Sequence, residues 1–208
     1  DVVPFLTPRR LVIVSGLSGS GKTVALRTLE DLGFYCIDNL PAMLLPSLVS
    51  DMDSGDTRRQ RIAVSIDVRN LTSDLGLIGT LLSDVHGAGF ETTLIYFDTE
   101  DAVLIKRYSE TRRRHPLSMD GLPLPDAIAA ERKLLRPLAA LADNVIDTSQ
   151  MNVHQLRIRV LDEIQGQTQT AVSILFESFA YRKGVPTDAD FVFDARCLPN
   201  PHWIPALR

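Results

Sequence analysis

The sequence contains little cysteine and no long apolar segment. Only Cys36 and Cys197 occur among its 208 residues, and neither has metal-ligand spacing or a neighbouring His/Cys cluster. We therefore expect two free thiols, with neither a disulfide framework nor a zinc site. No run of about 18 apolar residues is present, so we expect no membrane-spanning segment. Residues 1–10 lack the apolar core of a signal peptide, and we expect a cytoplasmic protein without membrane contact.

A strong excess of one charge is also absent. The formal net charge is −4, and 45% of the residues are hydrophobic and 23% charged, which is typical of a globular protein. This balance gives no overall attraction to nucleic acid. It contrasts with a local basic cluster, which consists of Lys106, Arg107, Arg112, Arg113 and Arg114. The cluster has three open interpretations: a lid that contacts phosphate, a solvated helix face, or an RNA contact.

A glycine-rich loop follows the first apolar run. Residues 16–23 match G-x-x-x-x-G-K-[ST] between a strand pattern and a helix pattern, the context that this motif requires. Its glycines permit backbone conformations in which successive N–H groups converge on phosphate oxygens. Lys22 is predicted to reach the β- and γ-phosphates, and Thr23 to ligate Mg²⁺. The predicted nucleotide-binding residues are Gly16, Leu17, Ser18, Gly19, Ser20, Gly21, Lys22 and Thr23.

Strand and helix patterns alternate along most of the chain. After residues 11–14, strands are predicted at 34–37, 62–67, 92–97 and 144–146, with helices between them. This alternation predicts an α/β fold of the P-loop NTPase (nucleotide kinase-like) type, with a parallel sheet covered by helices on both faces. We assign residues 1–10 to an arm and 11–165 to the nucleotide-binding domain. Residues 171–208, with strands at 171–179 and 188–196, are expected to begin a second, truncated α/β domain.

Three aspartates follow predicted strands, at the edge where open α/β sheets bind ligands. Asp67 is the leading candidate for organising Mg²⁺, because a rigid strand would hold its carboxylate beside the loop. Asp38 has two interpretations of equal weight. It is either a catalytic carboxylate, or it and Asn39 form a helix cap or an Asx-turn. Asp98 competes for the metal, although we favour a capping role for it before the next helix.

Two further polar segments carry weaker signals. Val68, Arg69 and Asn70 follow Asp67 and offer a guanidinium group and an amide for phosphate or base contacts, or else an Arg–Asp surface pair. His115 precedes a proline that ends a helix, and the surrounding pattern predicts no role for it.

Several of these segments resemble one known family. They are Gly-Leu-Ser-Gly-Ser-Gly-Lys-Thr at 16–23, Ser-Ile-Asp-Val-Arg-Asn at 65–70, Arg-Tyr-Ser-Glu-Thr-Arg-Arg-Arg-His-Pro-Leu at 107–117, and Phe-Val-Phe-Asp-Ala-Arg-Cys-Leu-Pro-Asn-Pro-His-Trp at 191–203. Together they are similar to the RapZ family of P-loop nucleotide-binding proteins, also called RNase adapter proteins. The resemblance runs from about residue 11 to residue 208.

The resemblance implies ATPase and GTPase activity. ATP would lie on residues 16–23, and a second nucleotide contact would come from Asp67, Val68, Arg69 and Asn70. Some members bind a small regulatory RNA through a C-terminal domain and present it to an endoribonuclease that controls amino-sugar synthesis. Because most of that domain is expected to be missing here, RNA binding does not carry over to this chain.

Three functions are therefore compared. The first is a regulatory protein that binds and slowly hydrolyses ATP and GTP, with Lys22, Asp67 and Asp38 as the catalytic candidates and a possible homo-oligomeric state. The second is a small-molecule kinase with an arginine lid. The third is an RNA adapter without enzymatic activity, in which nucleotide alters only the conformation.

Overall fold

The computed structural model describes residues 9–51, 60–68, 78–165, 176–186, 189–194 and 196. The chain divides into two compact units, Asp1–Gln169 and Thr170–Arg208. The strands of the first unit are β1 Arg9–Gly16, β2 Tyr35–Ile37, β3 Arg61–Ser65, β4 Phe90–Asp98 and β5 Asn144–Asp147. Its helices are α1 Lys22–Asp31, α2 Leu45–Asp51, α3 Ile78–Gly87, α4 Asp101–Thr111, α5 Leu124–Leu141 and α6 Val153–Gln165.

The five strands form one parallel sheet in the order β2-β3-β1-β4-β5. β1 is central, with Val14 beside Ser65 of β3 and Gly16 beside Phe97 of β4. Its apolar run at residues 11–14 is at most 1% exposed. Burial on both faces is what favours a continuous apolar run over an alternating one in a parallel strand.

Helices cover both faces of the sheet, and alternate residues of β1 point to opposite sides. Leu11 and Ile13 pack in a cluster with apolar residues of α2, α3, α4 and α5. Val12 and Val14 pack in the other cluster with residues of α1 and α6. The predicted fold class is confirmed. The sheet thereby holds the carboxyl end of β1, where the glycine-rich loop begins, in a fixed position.

In the second unit, the described residues differ from the sequence-based expectation. Strands were predicted at 171–179 and 188–196, but residues 176–180 and 189–194 form neither strand nor helix. A short 3-10 turn occurs at Tyr181–Lys183, and Arg196 forms an ion pair with Asp194 at 2.6 Å. The apolar side chains Phe176, Phe191 and Phe193 are at least 80% exposed. With these side chains unburied, the alternating pattern has no packed face to stabilise a strand.

Two further sequence-based expectations concern the cysteines and membrane-spanning helices. Cys36 is a free thiol, as expected, whereas Cys197 lies outside the described residues. None of the helices in the described part of the chain combines the length and apolar composition needed to cross a bilayer.

Candidate functional site

The glycine-rich loop has its shape because three of its positions exclude a side chain. Gly16 has φ +139°, and a Cβ placed there would lie 2.1 Å from the Phe97 carbonyl oxygen of β4. Gly21 has φ +106°, and its Cβ would meet Leu156 at 2.5 Å. Gly19 also has a positive φ, of +91°. Only glycine adopts such conformations at little cost, so the backbone of the loop can pack directly against β4 and α6.

Lys22 folds back over the first part of this loop. Its Nζ donates to the carbonyl oxygens of Gly16 at 2.7 Å and Leu17 at 3.0 Å. The amides of Gly19 and Gly21, in contrast, donate to no acceptor within the described part of the chain. The loop thus directs carbonyl groups towards its own ammonium group and leaves amide groups available for an anion.

The second part of the loop is held by a contact from α4 and another from the segment after β5. Arg107 donates to the Gly19 carbonyl at 3.0 Å and to the Thr148 carbonyl at 2.7 Å. Thr148, which is 1% exposed, donates through its hydroxyl to the Ser20 carbonyl at 2.9 Å. Burial lowers the pKa of the Arg107 guanidinium. These two residues were not identified as a pair from the sequence, since nothing in the local pattern around Thr148 distinguishes it.

The first part of the loop is held by a buried carboxylate. Glu131 of α5 is 0% exposed and accepts from the Ser18 amide at 3.0 Å and the Ser18 hydroxyl at 2.6 Å. Its Oε2 also lies 2.9 Å from His115 Nε2. Leu117 N–H donates to His115 Nδ1 at 3.2 Å, so the ring proton resides on Nε2 and is donated to Glu131. Burial, followed by the charge of Glu131, raises the pKa of nearby Tyr108 to about 12.

His115 and Glu131 correct the sequence-based account of this region. The pattern around His115 predicted no role, yet its side chain is 1% exposed and hydrogen-bonded at both ring nitrogens. Glu131 was not identified at all. One signal was available: it stands four residues after Ala127 and four before Leu135, both of which are fully buried. A carboxylate on the core face of a helix needs polar partners.

Helix α1 begins inside the loop. Its N-terminal cap is Gly21, no side chain caps it, and its first turn contains no acidic residue. The positive end of the helix dipole is therefore not offset locally, and it favours an anion. Thr23 lies exposed in this first turn, where its hydroxyl can reach a metal ion bound to such an anion.

Asp67 lies just beyond β3 and beside the end of β1. The preceding residue, Ile66, accepts from the Ser15 hydroxyl at 3.0 Å and donates its amide to Val14 at 3.0 Å. Asp67 itself is 8% exposed. Val68 is buried in the apolar core at 3% exposure, so its side chain packs in the core and is not available to a ligand. The other two residues of this predicted motif, Arg69 and Asn70, lie outside the described residues.

Asp38 follows β2 and is bonded to β3. Its carboxylate accepts from the Ser65 hydroxyl at 2.5 Å, and the same hydroxyl accepts from the Asn39 amide at 2.7 Å. The 3-10 helix Ala42–Leu44 begins after Pro41 without a side-chain cap. Asp38 is therefore not the helix cap of the alternative interpretation. Its exposed carboxylate lies at the carboxyl edge of the sheet, on the β3 side of the loop.

The preferred capping role of Asp98 is wrong. Helix α4 is preceded by Glu100 and has no side-chain cap, whereas the Asp98 carboxylate accepts from Arg132 of α5 at 2.7 Å. Arg132 also forms an ion pair with Asp101 at 2.6 Å. Burial alone would lower the pKa of Arg132, but the bonds to Asp101 and Asp98 outweigh it and raise that pKa. A partner from a distant helix thus replaces the local cap.

The residues of the basic cluster have different environments in the structure. Arg107 contacts the loop, whereas Lys106 and the three arginines at 112–114 are exposed. Arg112 ends α4 in the left-handed conformation at φ +51°. Of the predicted lid residues, only Arg107 is in contact with the candidate site.

Each of the two units matches a known domain family. Residues 9–168 match the RapZ-like N-terminal domain, and residues 172–208 match the RapZ C-terminal domain. The chain belongs to the RapZ family. Within this RapZ-family chain, the first match includes the whole glycine-rich loop, all five strands and all six helices described above.

Similar proteins agree with this assignment. A nucleotide-binding protein from Cellvibrio japonicus is 54% identical over 95% of this chain and 67% of its own length. Another from Xanthomonas axonopodis pv. citri is 57% identical over 95% of this chain and 70% of its own length. Among solved structures, shikimate kinase from Acinetobacter baumannii has a TM-score of 0.52 at 17% identity, covering 78% of this chain and 96% of the kinase. That similarity establishes a P-loop kinase-like fold.

Proposed function

We propose that this RapZ-family chain binds a nucleoside triphosphate, ATP or GTP, on residues 16–23 and hydrolyses it slowly. The observation that carries this proposal is the polarity of the loop. Carbonyl groups of the loop bond to Lys22, Arg107 and Thr148, while the amides of Gly19 and Gly21 remain available. An uncapped helix N-terminus adds partial positive charge at the same position. The relatives are named nucleotide-binding proteins, which supports the same function.

Mg²⁺ fits the oxygen donors beside the loop. No group of three His, Cys, Asp or Glu residues in the described ranges could form an all-protein metal site. Mg²⁺ needs no such group, because it is commonly held by one carboxylate, a hydroxyl, water and the phosphates of the substrate. The Thr23 hydroxyl and the Asp67 carboxylate would hold it. When bound, the ion would supply positive charge to the phosphate oxygens.

The residues around the loop support slow hydrolysis. Lys22 would offset negative charge that develops on the γ-phosphate, and the guanidinium of Arg107 adds positive charge beside Gly19. Asp67 or Asp38 would orient the attacking water. Because one oxygen of Asp38 is already bonded to the Ser65 hydroxyl, that carboxylate is not dedicated to water alone, and we expect a low turnover number.

A small-molecule kinase is the second candidate, because an open groove follows β2. The groove has a volume of about 620 Å³ and is lined by Leu40, Leu44, Ser47, Leu48 and Ser50. Asp38 precedes this segment and could act on an acceptor hydroxyl. A phosphorylated metabolite, formed from labelled ATP and lost in the Asp38→Ala variant, would establish this function in place of hydrolysis.

The regulatory role forms part of the same proposal. The match at residues 172–208 supports a C-terminal domain that, in its full-length form, would bind a small regulatory RNA and present it to an endoribonuclease. We retain residues 11–165 as the nucleotide-binding domain and residues 171–208 as part of the RNA-binding domain. Gel-shift titration of a protein with the full-length C-terminal domain against structured RNA, over a range of salt concentrations, tests this role, since phosphate contacts give a steep salt dependence.

Calorimetry with ATP and GTP, with and without Mg²⁺, tests the main proposal directly. We expect the Lys22→Ala variant to lose at least about tenfold in affinity, because charge-assisted bonds to phosphate are among the strongest in proteins. Lys106→Ala removes an exposed lysine of α4 and is the matched control. Phosphate release then measures turnover. Absence of binding by the unsubstituted chain, or equal affinity in the Lys22→Ala variant, would contradict the proposal.

A further inference from the structure

We infer that Glu131 is a positioning residue for the glycine-rich loop and that His115 holds its carboxylate in place. The inference rests on the proposed nucleotide-binding function of residues 16–23. It concerns how the loop keeps its shape, and neither side chain is assigned a contact with nucleotide.

The position of Glu131 is one at which the fold itself would favour an apolar residue. Its neighbours one turn away on α5, Ala127 and Leu135, are 0% exposed, as is Glu131. A buried carboxylate loses its hydration, and replacement of buried ionic groups by apolar residues is often neutral or stabilising. The carboxylate is therefore better explained by its partners than by core packing. Those partners are Ser18 in the loop and His115 in the segment between α4 and α5.

The two bonds to Ser18 determine which amides can face an anion. Glu131 takes both the amide and the hydroxyl of Ser18, at 3.0 and 2.6 Å. The Ser18 amide is consequently unavailable to phosphate, and the available amides begin at Gly19. Because two groups of one residue are fixed by one carboxylate, the Leu17–Ser18 peptide plane and the Ser18 side chain each have a single orientation, directly before Gly19. A loop prepared in this way loses less conformational entropy when it binds an anion.

His115 restricts the carboxylate in turn. The ring is fixed by the bond from Leu117 N–H to Nδ1, so Nε2–H points at Glu131 Oε2. The Tyr108 ring lies against it with a centroid separation of 5.3 Å, and Tyr108 also lies near Gly19. With one oxygen shared between Ser18 N–H and His115 Nε2–H, the carboxylate cannot rotate without breaking both bonds.

Four variants of the full chain distinguish three effects: the orientation of the loop by Glu131, the negative charge of its side chain, and the stability of the fold. Glu131→Ala removes the acceptor, and His115→Phe removes one donor while retaining an aromatic ring beside Tyr108. Glu131→Gln is the conservative variant: its amide oxygen can accept from Ser18 N–H and His115, and its NH₂ can donate to the Ser18 hydroxyl. Leu135→Ala is the control, because it creates a cavity on the same helix while the polar partners of the loop, Glu131 and His115, are retained.

Two measurements are made on each variant. The first is the dissociation constant of Mg·ATP and Mg·GTP by calorimetry, below the melting temperature of every variant. We expect Glu131→Ala to weaken binding roughly tenfold or more and His115→Phe by a smaller factor, because buried donors are left unpaired. Glu131→Gln should stay within about threefold of the unsubstituted chain, since its bonds are conserved in number. Leu135→Ala should lower the melting temperature and leave affinity unchanged.

The second measurement is the amide ¹H–¹⁵N signal of Ser18, which requires no nucleotide. We expect it to move in Glu131→Ala and His115→Phe and to stay in place in Leu135→Ala. If the unsubstituted chain binds no nucleotide, the proposed function fails while this signal still tests the positioning. If nucleotide binds but Glu131→Ala retains both affinity and the Ser18 signal, the inference is wrong. If Glu131→Ala does not fold, His115→Phe decides between the same two outcomes.

Discussion

Glu131 and Arg132 are consecutive residues of α5 that both connect this helix to the carboxyl edge of the sheet. Each takes part in three hydrogen bonds. Glu131 accepts two from Ser18 and one from His115, and Arg132 donates to Asp98, Thr99 and Asp101. The difference is burial, because Glu131 is 0% exposed and the Arg132 side chain is 38% exposed.

This difference in burial distinguishes the contacts of Glu131, which determine the shape of the loop, from those of Arg132, which lie outside the loop at the protein surface. Water replaces a lost bond at an exposed site, whereas a buried group left without a partner bears the whole desolvation cost. We therefore expect the effects of substitution to follow burial and proximity to the loop, and not the number of bonds. The four predictions below test that ranking, beginning with the largest expected effect.

The largest effect is expected at Gly16, where the loop leaves β1. Gly16→Ala places a Cβ 2.1 Å from the Phe97 carbonyl oxygen of β4, and backbone atoms of a strand paired on both sides cannot move aside. We expect a loss of about 3 kcal/mol or more in the free energy of unfolding, measured by urea titration with circular dichroism. The control is Gly79→Ala in α3, where a Cβ meets nothing within 4 Å. It should gain up to about 1 kcal/mol.

The next largest effect is expected at Thr148. Thr148→Val keeps the shape but removes the hydroxyl that donates to the Ser20 carbonyl and contacts Thr99 at 2.8 Å. Leaving these buried groups unpaired should cost roughly 1–3 kcal/mol in the same titration. Thr148→Ser retains the hydroxyl and should lose only about 0.8 kcal/mol for the missing methyl group. A smaller loss in Thr148→Val than in Thr148→Ser would show that packing, not the hydroxyl, matters at this position.

A smaller effect is expected at Arg107. Arg107→Lys keeps a positive charge but cannot bond the Gly19 and Thr148 carbonyls together, because the ammonium group lacks the planar fork of guanidinium. We expect about 1 kcal/mol of lost stability and weaker nucleotide binding by calorimetry. Lys106→Arg, at the exposed neighbouring position, should change neither quantity. If the affinity for nucleotide is unchanged in Arg107→Lys, this contact contributes to stability and not to nucleotide binding.

The smallest effect is expected at Arg132. Arg132→Ala breaks the ion pairs with Asp98 and Asp101, yet we expect a loss below about 1 kcal/mol in unfolding experiments. The loss should shrink further at high salt, where exposed charges are screened. A loss at Arg132 greater than that at Thr148 would reverse the ranking and contradict the comparison between buried and exposed contacts.

The sequence predicted the sheet and the loop well, because both are local patterns. Residues 11–14 and 16–23 contain their own apolar run, glycines and lysine, and the observed β1 and α1 follow from them. The partners of the loop were not predictable in the same way. Glu131 is 113 residues from Ser18, and an acidic residue in a helix ordinarily faces solvent.

The wrong expectations have the same origin. Asp98 stands before a helix with the spacing of a cap, but Arg132, 34 residues away, competes for its carboxylate. In the second unit, alternating residues such as Phe191 and Phe193 have the pattern of a strand, yet they are exposed and form none. A local pattern states a preference, and partners distant in the sequence decide whether it is realised.

The contacts of the loop impose an order on its assembly during protein synthesis. Residues 16–23 leave the ribosome before their partners, because Ser18 bonds to a residue 113 positions later and Ser20 to one 128 positions later. A nascent chain that ends before Glu131 contains the complete glycine motif without the carboxylate that bonds to Ser18 and the hydroxyl that bonds to Ser20. Folding of this site is therefore delayed until β5 has been translated, and contacts of such long range also slow folding.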